Sequence, residues 1–458
     1  MLRLLSGPLA RALGITVLGN LLFLALMVAA QGDPRVIITR VRTAFATGEL
    51  GTKDFLRFDA RRGWFQYNDC IVLQMLTNQD PSRFERALAP KVFYKSEAWE
   101  DQCAVLRALV EEGVDPNTLL LQRYVRYWHG YNAVAAFALR GMELRSLRRM
   151  LSGAVWVAIG ILALAACRSG TRVRRTGLII ALTAATVWAV PYFAPGLTEG
   201  PGDALLLLAL AAIAAWPRMA VGFGTIVPYA AGFGATVVFF EMLTGQLPIA
   251  IAWLAALTLA AGRDEGRLGN VAAPTVTLAA VTAFGLAAAA TVVAKQIMAA
   301  LLAEPQAGEA FLTQLGFYMG VPESEGNWPG ILLPFARLMQ QSKMLTFGKT
   351  LAGYVLVAAT GLIWLAAAIR GWCERYSERG RDVLILVSAA LIPVAWVFLL
   401  PRHTYIHATF MVRMLVVPIS LAPLALCWPP AHGSRDSSAR EEKVSGTFSP
   451  GPRTSGRA

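Results

Sequence analysis

Charge is scarce in this chain. Only 16% of its 458 residues are Asp, Glu, Lys or Arg, against about a quarter in an ordinary soluble protein. That is too little to cover a water-facing surface, and it excludes a soluble enzyme. Hydrophobic residues make up 56% of the chain, which excludes a disordered polymer. Acids are scarcer than bases, 29 against 42, leaving a net charge of +13. Histidine occurs four times and cysteine five times, with no CxxC and no Cys/His zinc spacing. A disulfide-dense scaffold is thereby excluded. Neither GxxxxGK[ST] nor a helix-opening GxGxxG is present, so no nucleotide-driven engine is encoded.

What the chain has instead is long apolar runs, with a mean hydropathy of +0.51. Runs near the length of a membrane span fall at 14–30, 151–167, 177–195, 204–216, 221–243, 247–261, 271–294, 351–369, 383–400 and 410–428. The expected class is an all-α integral membrane protein with about ten transmembrane helices. Arg3 and Arg11 precede the first run. Arg168, Arg172, Arg174 and Arg175, then Arg218, Arg263, and Arg370, Arg375, Arg379 and Arg381 fill alternate connections. Positive residues collect in cytoplasmic loops, which puts both termini inside. The same bias accounts for the basic balance without nucleic acid as a partner. The lipid bilayer is the partner that this composition demands. The expected division is an N-terminal anchor at 1–30, an extracytoplasmic domain at 31–148, a bundle at 149–428 with an outer loop at 295–349, and a disordered cytoplasmic tail at 429–458 rich in Ser, Gly, Pro and Arg. The first run reads as an uncleaved anchor, or as a signal peptide cut after the Val-Ala-Ala at 28–30.

The domain between spans one and two is expected to be mostly helical. Helices are expected over 34–48, from near Asn68 or Asp69 to Asn78, over 102–112 closed by Gly113, and over 116–144. Cys70 and Cys103 fall outside, where thiols oxidise, and read as a disulfide or as two buried thiols. Pro228 and the Gly-Phe-Gly repeats at 222–224 and 232–234 predict a break or a close helix contact in span five.

Residues able to carry chemistry cluster on the outer side. Asp69, beside Tyr67 and Cys70, reads as a general base or as a helix N-cap. Asp33 reads as a second acid or as the cap before Pro34. In Arg123-Tyr-Val-Arg126-Tyr-Trp-His129-Gly-Tyr131, two guanidiniums three apart would share a helix face and could clamp a phosphate. The rings could stack a sugar, and His129 could donate a proton; an interfacial aromatic belt is the alternative. His403 and His407 lie four apart, a spacing that can serve zinc if further ligands exist. A divalent metal therefore stays open, and no cofactor is assigned. Arg413 lies inside span ten, where a charge is expected to face a cavity or an anion. Glu241 and Lys295, near the outer ends of spans five and seven, are expected to pair or snorkel.

An N-in first span, a substantial outer domain, about ten spans and outward Asp, Arg and His together resemble the polytopic glycosyltransferases of the GT-C superfamily, over most of residues 1–428. The resemblance implies a polyprenyl-phosphate sugar donor and an envelope glycan or lipid as acceptor at the inner (plasma) membrane. It also implies a catalytic acid in the first outer loop (Asp33 or Asp69) and donor-phosphate binding by Arg123, Arg126, His129, His403, His407 or Arg413. A carrier or flippase for an anionic or lipid-linked substrate, and a non-catalytic subunit of a polysaccharide assembly machine, are the alternatives.

Overall fold

The computed structural model describes residues 2–59, 63–95, 101–240, 245–265, 272–323, 329–346 and 348–430. Glu241 and the tail from 431 onward lie outside these residues.

The chain opens with α1 (Leu2–Ala30). A head segment follows: α2 (Pro34–Ala46), β1 (Phe55–Asp59), β2 (Gly63–Phe65), α3 (Tyr67–Thr77), α4 (Arg83–Leu88), β3 (Lys91–Tyr94), α5 (Gln102–Arg107), β4 (Leu120–Arg123) and α6 (Gly130–Gly141). The bundle continues with α7 (Leu144–Cys167), α8 (Thr171–Val187), α9 (Val190–Phe193), α10 (Glu199–Ala215), α11 (Phe223–Phe240), α12 (Gln246–Glu265) and α13 (Ala273–Leu302). It closes with α14 (Ala307–Met319), α15 (Leu333–Gln341), α16 (Thr350–Cys373), α17 (Glu378–Ala390), α18 (Ile392–Leu399), α19 (Pro401–Ile406), α20 (Ala408–Met411) and α21 (Val416–Leu426).

An all-α membrane architecture follows from this order. Apolar segments form helices because a helix satisfies its own backbone where water is absent. Eight helical stretches among the described residues are long and apolar enough to cross a membrane: 7–30, 144–167, 223–240, 246–265, 273–302, 350–373, 378–399 and 408–426. Helices α8 and α10 are each 17 residues long, just below that length. Helix α12 is the centre of the bundle, with Trp253, Leu254 and Leu257 fully buried. Helix α11 lies between α1 and α13. Gly234 makes that approach possible: a Cβ there would strike the Phe284 carbonyl of α13. The close contact expected of the glycine repeat is thus present, and Pro228 is accommodated inside α11 without ending it.

The head combines helices with two small antiparallel sheets, β1–β2 and β3–β4. The single helix expected over 116–144 is not formed. A 3-10 turn at Pro116–Thr118 leads instead into β4, whose Leu120 to Arg123 pair with Tyr94 to Lys91 of β3. Cross-strand pairing outweighs the helical spacing here, and a helix resumes only at Gly130. Helix α2 is capped as expected, Asp33 accepting from the Arg35 amide. Cys70 and Cys103 form a disulfide between α3 and α5 across 33 residues. Closing a loop of that size stabilises the fold by about 3–4 kcal/mol.

Polar side chains seat the head on the bundle. Lys295, fully buried on α13, donates to the carbonyls of Leu88 (2.6 Å) and Val125 (3.2 Å); it does not snorkel, and it makes no ion pair among the described residues. Beside it Gln296 reaches Arg126 O (2.7 Å) and Trp128 donates to Thr291 O (3.2 Å). On the far side, Arg140 Nη2 caps Ala30 O at the end of α1 (2.5 Å).

Candidate functional site

A band of buried polar groups runs between the head and the bundle, and it starts at Arg413. The last apolar stretch narrows to a 3-10 turn at Val412–Leu415 between α20 and α21. Such tightening inside a helix is uncommon and often functional. Arg413 sits in that turn with 1% exposure. Its Nη2 donates to Asp203 Oδ2. Its guanidinium lies 4.8 Å from the Trp188 ring centre and 4.7 Å from that of Phe193. Asp203 also accepts from Gln246 Nε2 at 2.7 Å. Arg413 Nε and Nη1 have no hydrogen-bond partner among the described residues. Buried guanidinium N–H groups left unmet are costly. A cation in this state is prepared for an incoming anion.

Asp203 belongs to the first turn of α10, Glu199-Gly-Pro-Gly-Asp203, all of it buried. Sequence alone placed these residues in a loop. The head holds this turn in place from above. Asn68 Nδ2 donates to Glu199 Oε1 at 2.9 Å. Next to it, Asp69 Oδ1 accepts from the Leu197 amide at 2.8 Å, two residues before Glu199. Asp69 Oδ2 takes Arg148 Nη2 (2.5 Å) and Nε (3.1 Å), and Arg148 Nη1 donates to Glu49 O (2.8 Å). Both side chains of this pair are 1% exposed. Asp69 does not cap its helix: Gln66 holds the N-cap position, and the Asp69 carboxylate points away into this network. Glu199 is 3% exposed and makes no ion pair among the described residues.

The third part of the band is aromatic. Arg126 Nη1 donates to the Tyr318 hydroxyl at 2.9 Å, and its guanidinium lies 5.0 Å from the Tyr124 ring centre. The Tyr318 ring is 4.6 Å from His403, and His403 is 4.6 Å from His407. The histidine pair therefore does share a face, but over Tyr318. His407 in turn lies 6.4 Å from Phe410, and Phe410 lies 6.0 Å from Phe193 at the Arg413 end. Burial, with His403 and Arg126 nearby, pushes the His407 imidazole well below its usual pKa. It is a neutral hydrogen-bonding group at pH 7.

Several residues singled out from sequence stand elsewhere. Arg123 ends β4 and pairs with Glu85 (3.2 Å) and Glu304 (3.0 Å). The expected Arg123–Arg126 clamp on one helix face is therefore absent. Asp33 is exposed at the start of α2. His129 is fully buried just before α6. Its Nδ1 is 2.8 Å from the Tyr131 hydroxyl and its Nε2 is 3.0 Å from Tyr124 O. A carbonyl only accepts, so Nε2 carries the proton and Nδ1 accepts from Tyr131. Burial and Lys295 push the His129 pKa down to about 3. The ring braces the segment from Tyr124 to Tyr131. No group of three or more His, Cys, Asp and Glu able to hold a metal gathers among the described residues.

Sequence reasoning missed Arg148, Glu199, Asp203, Gln246, Trp188, Phe193 and Tyr318. A signal existed for two of them. The acids of Thr-Glu-Gly-Pro-Gly-Asp open a short apolar run, and lone Arg413 needed a counter-ion within such a run. Comparison of the chain with protein-family models, with curated proteins and with solved structures finds no match in any of the three.

Proposed function

We propose that this protein is a membrane glycosyltransferase that moves a sugar from a polyprenyl-phosphate donor to an envelope glycan or lipid on the outer face of the plasma membrane. The observation that carries the reading is Arg413: buried, held by Asp203 between two aromatic rings, and with two N–H groups unmet among the described residues. That is the state required of a group that binds a leaving phosphate.

In this reading α8 and α10 also cross the membrane, giving ten spans with both termini cytoplasmic and the head outside. The disulfide fits an oxidising compartment on that side. Arg413 binds the donor phosphate and stabilises its charge as the glycosidic bond breaks. Arg126, His403 and His407 line the neighbouring aromatic end, where rings stack a sugar. An acceptor hydroxyl needs a base. Of the acids in the band, Asp69 is neutralised by Arg148, whereas Glu199 makes no ion pair among the described residues. Glu199 is the assigned base. Asp69 and Asn68 are positioning residues that hold its turn through Leu197 and Glu199.

Complementation of cells lacking the gene tests this. Wild type restores the glycan, and Glu199→Gln yields normally folded protein with polyprenyl-linked sugar building up. A Glu199→Gln variant that restores the glycan fully removes Glu199 from the mechanism.

A further inference from the structure

A small cavity of about 80 Å³ opens where α2 meets the start of α7. Leu144, the first residue of α7, is also the first of a stretch long enough to cross the membrane. Arg140, three residues before Glu143, caps Ala30 O at the end of the corresponding stretch in α1. The cavity therefore lies at the head-side boundary of the membrane, at the depth of lipid headgroups. A water takes up about 30 Å³ of liquid, so the space suits a small charged group and is too small for an acyl chain.

Its wall carries both signs of charge. Glu49 is 6% exposed, and its Oε1 accepts from Arg145 Nε. Its Oε2 is buried with no hydrogen-bond partner among the described residues. A carboxylate oxygen in that state is costly and calls for a donor. The neighbouring hydroxyls cannot serve. Thr43 Oγ1 donates to Thr39 O (3.1 Å) and Thr47 Oγ1 to Thr43 O (2.9 Å), which uses the one proton of each. The other side of the cavity calls for an anion. Arg40 lines it from α2 and makes no ion pair among the described residues. Arg145 bonds Glu49 through Nε alone, and its side chain stays 42% exposed. Glu143, the N-cap of α7, makes no side-chain cap bond, so the first amides of this 24-residue helix lack a side-chain acceptor.

One ligand meets both needs: an N–H cation joined by a short link to an oxyanion. The geometry points to the phosphoethanolamine headgroup of a phospholipid, its ammonium on Glu49 Oε2 and its phosphate on Arg40, Arg145 and the start of α7. A choline head carries the charge but has no N–H to donate. A glycerol head can donate a hydroxyl but brings no positive charge. A charge-assisted hydrogen bond is about twice as strong as a neutral one, which sets the ethanolamine head apart from both. The assignment does not depend on the transferase reading. Glu49 O also accepts from Arg148 (2.8 Å), the partner of Asp69. The headgroup thus binds at one end of the seat between head and bundle, and a ligand of the folded state stabilises it.

The test uses the full-length protein in detergent with equal amounts of phosphatidylethanolamine, phosphatidylcholine and phosphatidylglycerol. Native mass spectrometry counts the lipids retained, and thermal unfolding is followed with each lipid alone. Phosphatidylethanolamine is expected to be retained about tenfold over either competitor, equivalent to about 1.4 kcal/mol, and to raise the melting temperature most. Glu49→Gln abolishes its preference over phosphatidylcholine. Arg40→Met weakens its retention severalfold, and because Arg40 makes no ion pair in the fold this variant keeps the test open if Glu49→Gln misfolds. Equal retention of the three lipids in wild-type protein, or a preference that survives both substitutions, overturns the inference. Free ethanolamine phosphate stands for a soluble source. If it stabilises lipid-free protein as much as the phospholipid does, the headgroup assignment is overturned; if it has no such effect, the assignment is supported.

Discussion

Arg148→Met is the most informative perturbation of the seat between head and bundle. Arg148 makes two hydrogen bonds to Asp69 and one to the Glu49 carbonyl, from a position 1% exposed. Its removal strands the Asp69 carboxylate in a buried site with the Leu197 amide as its remaining donor. Breaking such a pair costs about 3–5 kcal/mol, most of it the penalty of an uncompensated charge. Asp69→Asn strands the guanidinium and costs a similar amount. The double variant leaves no buried charge, so it costs no more than about 1 kcal/mol beyond either single change. The coupling energy is then about 3 kcal/mol, within reach of a double-mutant cycle. The assay is denaturant unfolding in detergent, followed by tryptophan fluorescence. Additive single effects, or a loss below about 1 kcal/mol for Arg148→Met, would refute the view that this pair clamps α3 to α7 and, through Leu197, holds Glu199.

Other predictions follow from separate parts of the molecule. Cys70→Ser should lower unfolding stability by about 3–4 kcal/mol, and thiol labelling of unreduced protein should find Cys167, Cys373 and Cys427 but not Cys70 or Cys103. Gly234→Val should reduce the yield of folded protein sharply, because its Cβ meets the Phe284 backbone; an unchanged melting profile would show that α11 and α13 are not in that contact. His129 titrates near 6.5 when unfolded and at about 3 when folded, so the unfolded state binds the proton first. Its stabilisation is complete above pH 6.5 and lost as pH falls towards 3, at up to about 1.4 kcal/mol per unit. His129→Gln should flatten that part of the stability–pH curve.

The bundle was legible because its signal is local. A run of apolar residues must be a helix in lipid, and the basic connections alternate. The short runs at 204–216 and 247–261 were harder, because α10 takes its first turn from Glu199-Gly-Pro-Gly-Asp203 and α12 takes its last from Gly262 to Glu265, residues that read as connections in the sequence. The disulfide followed from compartment. The site was legible only in fragments. Arg413 could be picked out as a lone charge in an apolar run, but its partner Asp203 lies 210 residues away in sequence. Asp69 drew notice for its aromatic neighbours, whereas its actual partners, Arg148 and Leu197, come from 79 and 128 residues on. The Arg123–Arg126 spacing misled because periodicity assumes the element type, and β3 pairing made that stretch a strand.

The central claim is that Arg413 binds the phosphate of a lipid-linked sugar. Mass spectrometry of polyprenyl-linked sugars and envelope glycans, in cells lacking the gene and complemented with wild type or Arg413→Gln, tests it most directly. The account predicts donor build-up and a glycan missing one residue in the deletion, rescue by wild type, and failure of rescue by Arg413→Gln at equal protein level. Unchanged donor and glycan pools in the deletion strain would contradict it.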